Sequence, residues 1–220
     1  MDTIYKHRPT SIDEYVFATK EVEQQIRRYT SGKTTRPLVL HGKHGTGKSL
    51  LAELIPKAID GENVSVNKIH AEDLNSKKEV RTKFYRTLNF DRFFTLNGQR
   101  LNYTVIDEVN FDPSAKGALR TCLDDMAGRG LYIFTTNEVN KIDKGLLSRA
   151  EVVEVPPAPP DCFLPCAQRI LRSEGVDLDD SVVYEVLESV YDMEYDNRKY
   201  YTALDEIIEN WQENTHNKEI

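Results

Sequence analysis

The stretch Gly42–Ser49, "GKHGTGKS", satisfies G-x-x-x-x-G-K-[ST] in full. It stands between an apolar run, "PLVLH" (37–41), and a segment of helical spacing from Ser49 to Ile59. A strand that passes through a glycine-rich turn directly into a helix admits few folds, because the loop must lie at the carboxyl edge of a sheet. The glycines allow backbone N–H groups to converge on phosphate oxygens, and the helix directs its positive end at the same place. Gly45, Thr46, Gly47, Lys48, Ser49 and Leu50 are therefore the expected nucleotide contacts. Lys48 would reach the β- and γ-phosphates, and the Ser49 hydroxyl would ligate Mg²⁺. The competing reading, a chance glycine-rich turn, does not account for the strand, the Lys-Ser pair and the helix together.

Further β-branched or aromatic runs occur at "VSVNKI" (64–69), "NYTVI" (102–106), "LYIFT" (131–135) and "VVEV" (152–155). Helical spacing fills the segments Lys77–Leu88 and Ser114–Met126. Strands alternating with helices imply an α/β fold with a parallel five-stranded sheet flanked by helices. "PPAPP" (156–160) then stops regular structure and reads as a linker. Three helix-length segments follow (161–174, 180–193, 197–214). In the last, Tyr201, Leu204, Ile207, Ile208 and Trp211 form one apolar stripe, expected to face a core. The expected domains are 1–158, nucleotide-binding, and 159–220, helical.

Composition narrows the function classes. No run of about 18 apolar residues is present, so no membrane span is expected, and "MDTIYKHRPTSIDEY" has no apolar signal core. Three cysteines (Cys122, Cys162, Cys166) form no even framework and lack His or Cys neighbours at zinc spacing. A cytoplasmic protein is expected, in the host cytoplasm if the chain is viral. The net charge of −7 argues against binding nucleic acid through bulk basicity. The charge is uneven, however: fourteen Asp/Glu stand against three Lys/Arg from Ser173 onward, leaving residues 1–172 at about +4.

Hydrolysis needs more than a phosphate loop. "NYTVIDEVN" (102–110) runs β-favouring residues into Asp107 and Glu108. On a strand beside the loop, Asp107 would hold the Mg²⁺ shell and Glu108 would polarise the attacking water. Such a pair also caps helices, which is the alternative reading. "IFTTNEVNKI" places Asn137 at the carboxyl end of the next strand, where it could orient that water; an ordinary turn former is its alternative.

Taken together, the phosphate loop, "VIDE", "TTN", "LLSR" (146–149) and a trailing helical lid resemble the AAA+ ATPases over nearly the whole chain. Within them the chain is similar to clamp-loader small subunits of the phage and replication-factor-C type. The segments that carry this are "YKHRPTSIDEYVF" (5–17), "AKGALRTCLDD" (115–125), "LLSRA" with Ala150 where Cys is usual, and "YDNRKYYTALDEI" (195–207) with Tyr195 where Gly is usual. The resemblance implies ATP as the nucleotide, with Tyr5, Lys6, His7, Arg8 and Val16 lining an adenine site. It implies that Arg198 senses the phosphates from the lid. Arg149 would complete a neighbouring subunit's site as an arginine finger, and Arg120 would lie near the interface between subunits, linking DNA occupancy to Glu108. A solvated surface arginine is the alternative for Arg149; pairing with lid acids is the alternative for Arg198.

The segment "NSKKEVRTKFYRTLNF" carries Lys77, Lys78, Arg81, Lys83 and Arg86 against one acid, Glu79. Lys77 and Arg81 share a face, with Lys78 beside them. In clamp loaders the corresponding helix starts near DNA and grips backbone phosphates without reading bases; a solvated charged face is the alternative. "RFFTLNGQRLN" (92–102) is an undecided loop that could contact a partner or DNA. The chain ends at Ile220, after the lid, so the resemblance lacks the collar domain with which clamp-loader subunits continue. The expected function is an ATP-hydrolysing subunit that joins other AAA+ subunits and loads a sliding clamp onto primer–template DNA. A helicase loader or initiator is the first alternative, and a nucleotide-switched binding module the second.

Overall fold

The computed structural model describes residues 2–74, 76–94, 101–108, 113–125 and 127–216. Contacts divide them into two compact units. One comprises Glu21–Gly42 and Lys48–Val155; the other comprises the N-terminal segment to Lys20, Lys43–Gly47, and the chain from Pro156 onward.

The first unit is built on five parallel strands: β1 (Leu38–His41), β2 (Val66–His70), β3 (Asn102–Asp107), β4 (Gly130–Thr136) and β5 (Glu151–Glu154). Their order is β2-β3-β4-β1-β5, so β1 lies between β4 and β5, with Leu38 opposite Ile133 and Glu151. The expected α/β fold with a five-stranded parallel sheet is present. β4 is buried along its whole length, which is why it reads as a continuous apolar run rather than an alternating one. On one face, Val39, Ile69, Ile106, Tyr132 and Phe134 join a core with Val80 and Phe84 of α4 (Lys77–Phe94) and Leu119 and Cys122 of α5 (Pro113–Asp125). Phe84 stacks on Tyr132 at 5.6 Å between ring centroids. Side chains alternate along a strand, so Val105, Asp107, Ile133 and Thr135 fall on the other face. There α3 (Lys48–Asp60) lies against β1, β3 and β4 with Leu51 and Ile55 fully buried.

Two helices of this unit lie outside the sequence expectation. α2 (Lys20–Thr30) buries Val22, Ile26 and Tyr29, an i, i+4, i+7 stripe between charged residues. α6 (Lys144–Leu147) is one turn long, below the length at which periodicity speaks. The helix α4 runs to Phe94, beyond the expected end at Leu88. Residues 95–100 of the undecided loop, and Met126 at the expected end of α5, lie outside the described residues.

The second unit contains α1 (Thr3–Lys6), α7 (Pro160–Ser173), α8 (Asp180–Glu194) and α9 (Asn197–His216). Phe163, Ile170, Leu171, Val183, Leu187, Tyr200, Tyr201 and Leu204 form its core. Phe163 stacks on Tyr200 at 4.5 Å, and the Tyr200 hydroxyl donates to the Ala158 carbonyl (2.8 Å), which satisfies its polar end. The N-terminal segment is tied to these helices: the Thr3 N–H donates to Asp205 Oδ1 (2.9 Å), and Lys6 and His7 both reach the Glu174 carboxylate. The hydrogen bonds from Lys6 and His7 hold Glu174 below the usual carboxylate range. The apolar stripe of α9 meets this core through Tyr201, Leu204 and Ile208, but Trp211 is 37% exposed.

Candidate active site

The phosphate loop joins β1 to α3, and its backbone takes conformations that side chains resist. Gly45 and Gly47 have φ of +70° and +91°. A Cβ at Gly45 would lie 1.7 Å from Asp196 Oδ1, and one at Gly47 would lie 2.8 Å from the Tyr15 hydroxyl. Both positions therefore require glycine for shape and for space. Tyr15 is buried and its hydroxyl donates to the Thr46 carbonyl (3.1 Å); burial raises its pKa, so it stays a neutral donor. Thr46 is itself 1% exposed, and its hydroxyl closes the turn onto the Lys43 carbonyl (3.1 Å). Lys43 in turn sits 4.3 Å from the centre of the Tyr195 ring. Lys48 opens α3 and is buried at 8% exposure, Ser49 is exposed and Leu50 half-buried. Burial, aided by Lys48, lowers the pKa of His41 just before the loop, against the pull of Glu154, and keeps its imidazole neutral near pH 7.

At the ends of β3 and β4 the oxygens gather. Ser49 Oγ donates to Asp107 Oδ1 at 3.0 Å, and the Thr135 hydroxyl donates to the same oxygen. Thr135 Oγ1 also accepts the Glu108 N–H at 3.2 Å. Glu108 is exposed and has φ of +55°, a conformation that costs a non-glycine residue about 1–3 kcal/mol and is found where structure over-determines it. Asn137 follows β4 directly and is half-buried. The sheet thus brings Ser49, Asp107, Glu108 and Asn137 to its carboxyl edge beside Lys48, as the spacing predicts. Thr135, for which the motifs specify no role, touches both acids. Its sequence signal is weak, since it is one of two adjacent threonines that end β4.

Two hard oxygens, one of them a carboxylate, are a suitable protein contribution to a Mg²⁺ site that phosphate oxygens and waters complete. Among the described residues no group of three or more His, Cys, Asp or Glu is arranged to hold a metal by itself.

Arg149, Arg120 and Arg198 each lie against a carboxylate of their own unit. Arg149 Nε and Nη2 bind both oxygens of Asp124 on α5 (2.7 and 2.8 Å), while Nη1 donates to the Gly145 carbonyl (2.9 Å). That fork holds Asp124 below the usual carboxylate range. Arg120 lies 3.4 Å from Asp143 in the same region. Arg198 Nη2 pairs with Asp196 Oδ2 at 2.7 Å, and Asp196 Oδ1 caps α9 by accepting the Arg198 N–H at 2.9 Å. Burial works to raise the Asp196 pKa, and the hydrogen bonds from Arg198 outweigh it. Tyr195, before it, has φ of +51°, the left-handed cap that glycine adopts most cheaply. In the N-terminal segment Tyr5 is 70% exposed, Arg8 is exposed, and Val16 packs against the helical core. Lys77, Lys78 and Arg81 are all exposed at the start of α4, where Ser76 Oγ caps the helix by accepting the Glu79 N–H (3.2 Å) and donates to Glu79 Oε2 (3.0 Å).

The chain has counterparts among known proteins. Residues 38–157 match the model of the ATPase family associated with various cellular activities (AAA). The chain belongs to the AAA family of ATPases. Its AAA region and much of the remainder are similar to replication factor C small subunit 1 of Pyrobaculum arsenaticum, 29% identical over 83% of this chain and 56% of that protein. Replication factor C small subunit 2 of Pyrobaculum islandicum is 27% identical over 90% of this chain and 61% of its own length. The small subunit of Archaeoglobus fulgidus is 28% identical over 79% of this chain and 54% of its own length. The chain therefore spans somewhat over half the length of these relatives. Among solved structures, the Thermotoga maritima RuvB Holliday junction branch migration motor matches with a TM-score of 0.68. It covers 90% of this chain and 64% of that one at 15% identity, a likeness of fold alone. The expected resemblance to AAA+ clamp-loader small subunits is borne out.

Proposed function

We propose that this AAA chain binds and hydrolyses ATP as a subunit of a replication clamp loader. The observation that carries the reading is the convergence of Ser49, Asp107 and Glu108 beside Lys48, in a chain similar to replication factor C small subunits over most of its length. Backbone N–H groups of Gly45–Leu50 and the Lys48 ammonium bind the β- and γ-phosphates. Ser49 and Asp107 hold Mg²⁺, which when bound neutralises charge developing on the phosphate oxygens. Glu108 accepts the proton of the attacking water, and Asn137 orients that water. Arg149 completes the site of a neighbouring AAA+ subunit and Arg198 reports the phosphates of its own, so each must leave its aspartate when nucleotide is bound. Tyr5 to Arg8 and Val16 line the adenine site.

The partners in this reading are other AAA+ subunits, a sliding clamp and primer–template DNA, in the cytoplasm. Lys77, Lys78 and Arg81 grip DNA phosphates at the amino end of α4, where the helix dipole adds to their attraction for anions. No helix among the described residues is long and apolar enough to cross a membrane, and no membrane partner is invoked.

Steady-state ATP hydrolysis, measured with and without primed DNA and with and without the sliding clamp, tests the proposal. Stimulation by the two together is expected. Turnover that responds to DNA but is indifferent to clamp would move the chain to a helicase loader or initiator. Biological function that survives Glu108→Gln would make it a nucleotide-switched binding module.

A further inference from the structure

At the carboxyl edge of the sheet only one buried hydroxyl among the described residues touches both acids that the proposed chemistry uses. Thr135 is 1% exposed at the carboxyl end of β4. Asp107 and Thr135 each follow one residue after the paired Ile106 and Phe134, so parallel register sets them side by side. The hydroxyl spends its proton on Asp107 Oδ1 and a lone pair on the Glu108 N–H at 3.2 Å. A buried hydroxyl does not gain such partners automatically. Thr104 on β3 is equally buried and its Oγ1 has no partner among the described residues.

We infer that Thr135 is a positioning residue for ATP hydrolysis, one that fixes the Asp107 carboxylate and the left-handed Glu108 backbone in a single relay. This deepens the proposed ATPase reading and rests on it. Its donor bond removes one rotational freedom from the Asp107 carboxylate, which with Ser49 would hold the cation. Its acceptor bond anchors the N–H of Glu108 at φ of +55°, which sets where that exposed carboxylate points. Without the hydroxyl, the Glu108 N–H loses its partner and Asp107 keeps only the hydrogen bonds from Ser49. The binding of the phosphates to the loop would be untouched, while the alignment of water and metal would loosen.

Thr135→Val removes the hydroxyl at nearly constant shape. In the full chain it should lower kcat about 10- to 100-fold, the loss that small misplacements of reacting groups produce, while KM for ATP stays within about threefold. The Mg²⁺ concentration for half-maximal turnover should rise, and Thr135→Ser, which keeps the hydroxyl, should restore kcat to within about threefold of the native chain. Thr135→Ala against Thr135→Ser gives the same contrast without added bulk if the valine chain does not fold. Equal kcat and equal Mg²⁺ midpoints for the native, Val and Ala chains would overturn the inference. So would a Ser chain as impaired as Ala at an unchanged Tm, since the methyl packing would then be what matters. A native chain without turnover would overturn the hydrolysis reading and this inference together.

Discussion

Asp107 and Arg149 stand within the same compact unit, and each is held by its own chain, but by opposite means. Asp107 accepts hydrogen bonds from two neutral hydroxyls, Ser49 and Thr135, which orient the carboxylate without cancelling its charge. Arg149 is gripped at both ends of its fork by the Asp124 carboxylate, which orients the guanidinium and cancels its charge as well. Arg198, in the other unit, repeats the second pattern with Asp196. If the proposed function holds, the acids are oriented for a cation in advance, whereas each arginine stays with its aspartate until a more highly charged anion competes for it, as a triphosphate would. On the proposed reading, nucleotide and neighbouring subunit are needed to turn the arginines from internal partners into functional ones.

That contrast is open to attack from several sides. Arg149→Ala should have the largest effect, a loss of about 10³–10⁵ in turnover of the assembled, DNA-stimulated complex, with nucleotide binding nearly unchanged by equilibrium titration. Turnover that survives the change would leave Arg149 as a surface partner of Asp124 and nothing more. Glu108→Gln should lower turnover about 10²–10⁴-fold while leaving the complex able to bind ATP, DNA and clamp, as single-turnover and co-sedimentation measurements would show. Asp124→Asn sharpens the comparison at the small end. It keeps the shape of the pair but removes the competing charge, so turnover at limiting subunit concentration should rise about two- to fivefold, the scale of an exposed ion pair. A fall instead would mean that Asp124 aims Arg149 rather than restrains it.

The same contrast divides what was legible in the sequence. All five strands and six of the longer helices follow from periodicity and β-branched runs; burial on both faces gives the central strands near-continuous apolar patterns, while β-branched residues mark the edge strands β2 and β5. α2 is hard to read although Val22, Ile26 and Tyr29 mark its buried stripe, since most of the segment is polar or charged. Lys48, Ser49, Asp107 and Glu108 could be named because a loop between strand and helix and an acidic pair after a strand are local signals. Thr135 could not, because its role depends on register between strands whose residues lie 28 positions apart. Nor could the aspartate partners of Arg149 and Arg198, or the tie between Thr3 and Asp205, since a charge or hydroxyl in the sequence does not say which distant group it will meet.

A crystal structure with Mg²⁺ and a non-hydrolysable ATP analogue tests the central claim most directly. The account predicts the analogue's phosphates in the Gly42–Ser49 loop, the ion between Ser49 and Asp107, and the Thr135–Asp107 hydrogen bond kept while the Ser49–Asp107 bond opens to admit it. A triphosphate bound away from that loop, or a metal ion that leaves both oxygens untouched, would contradict it.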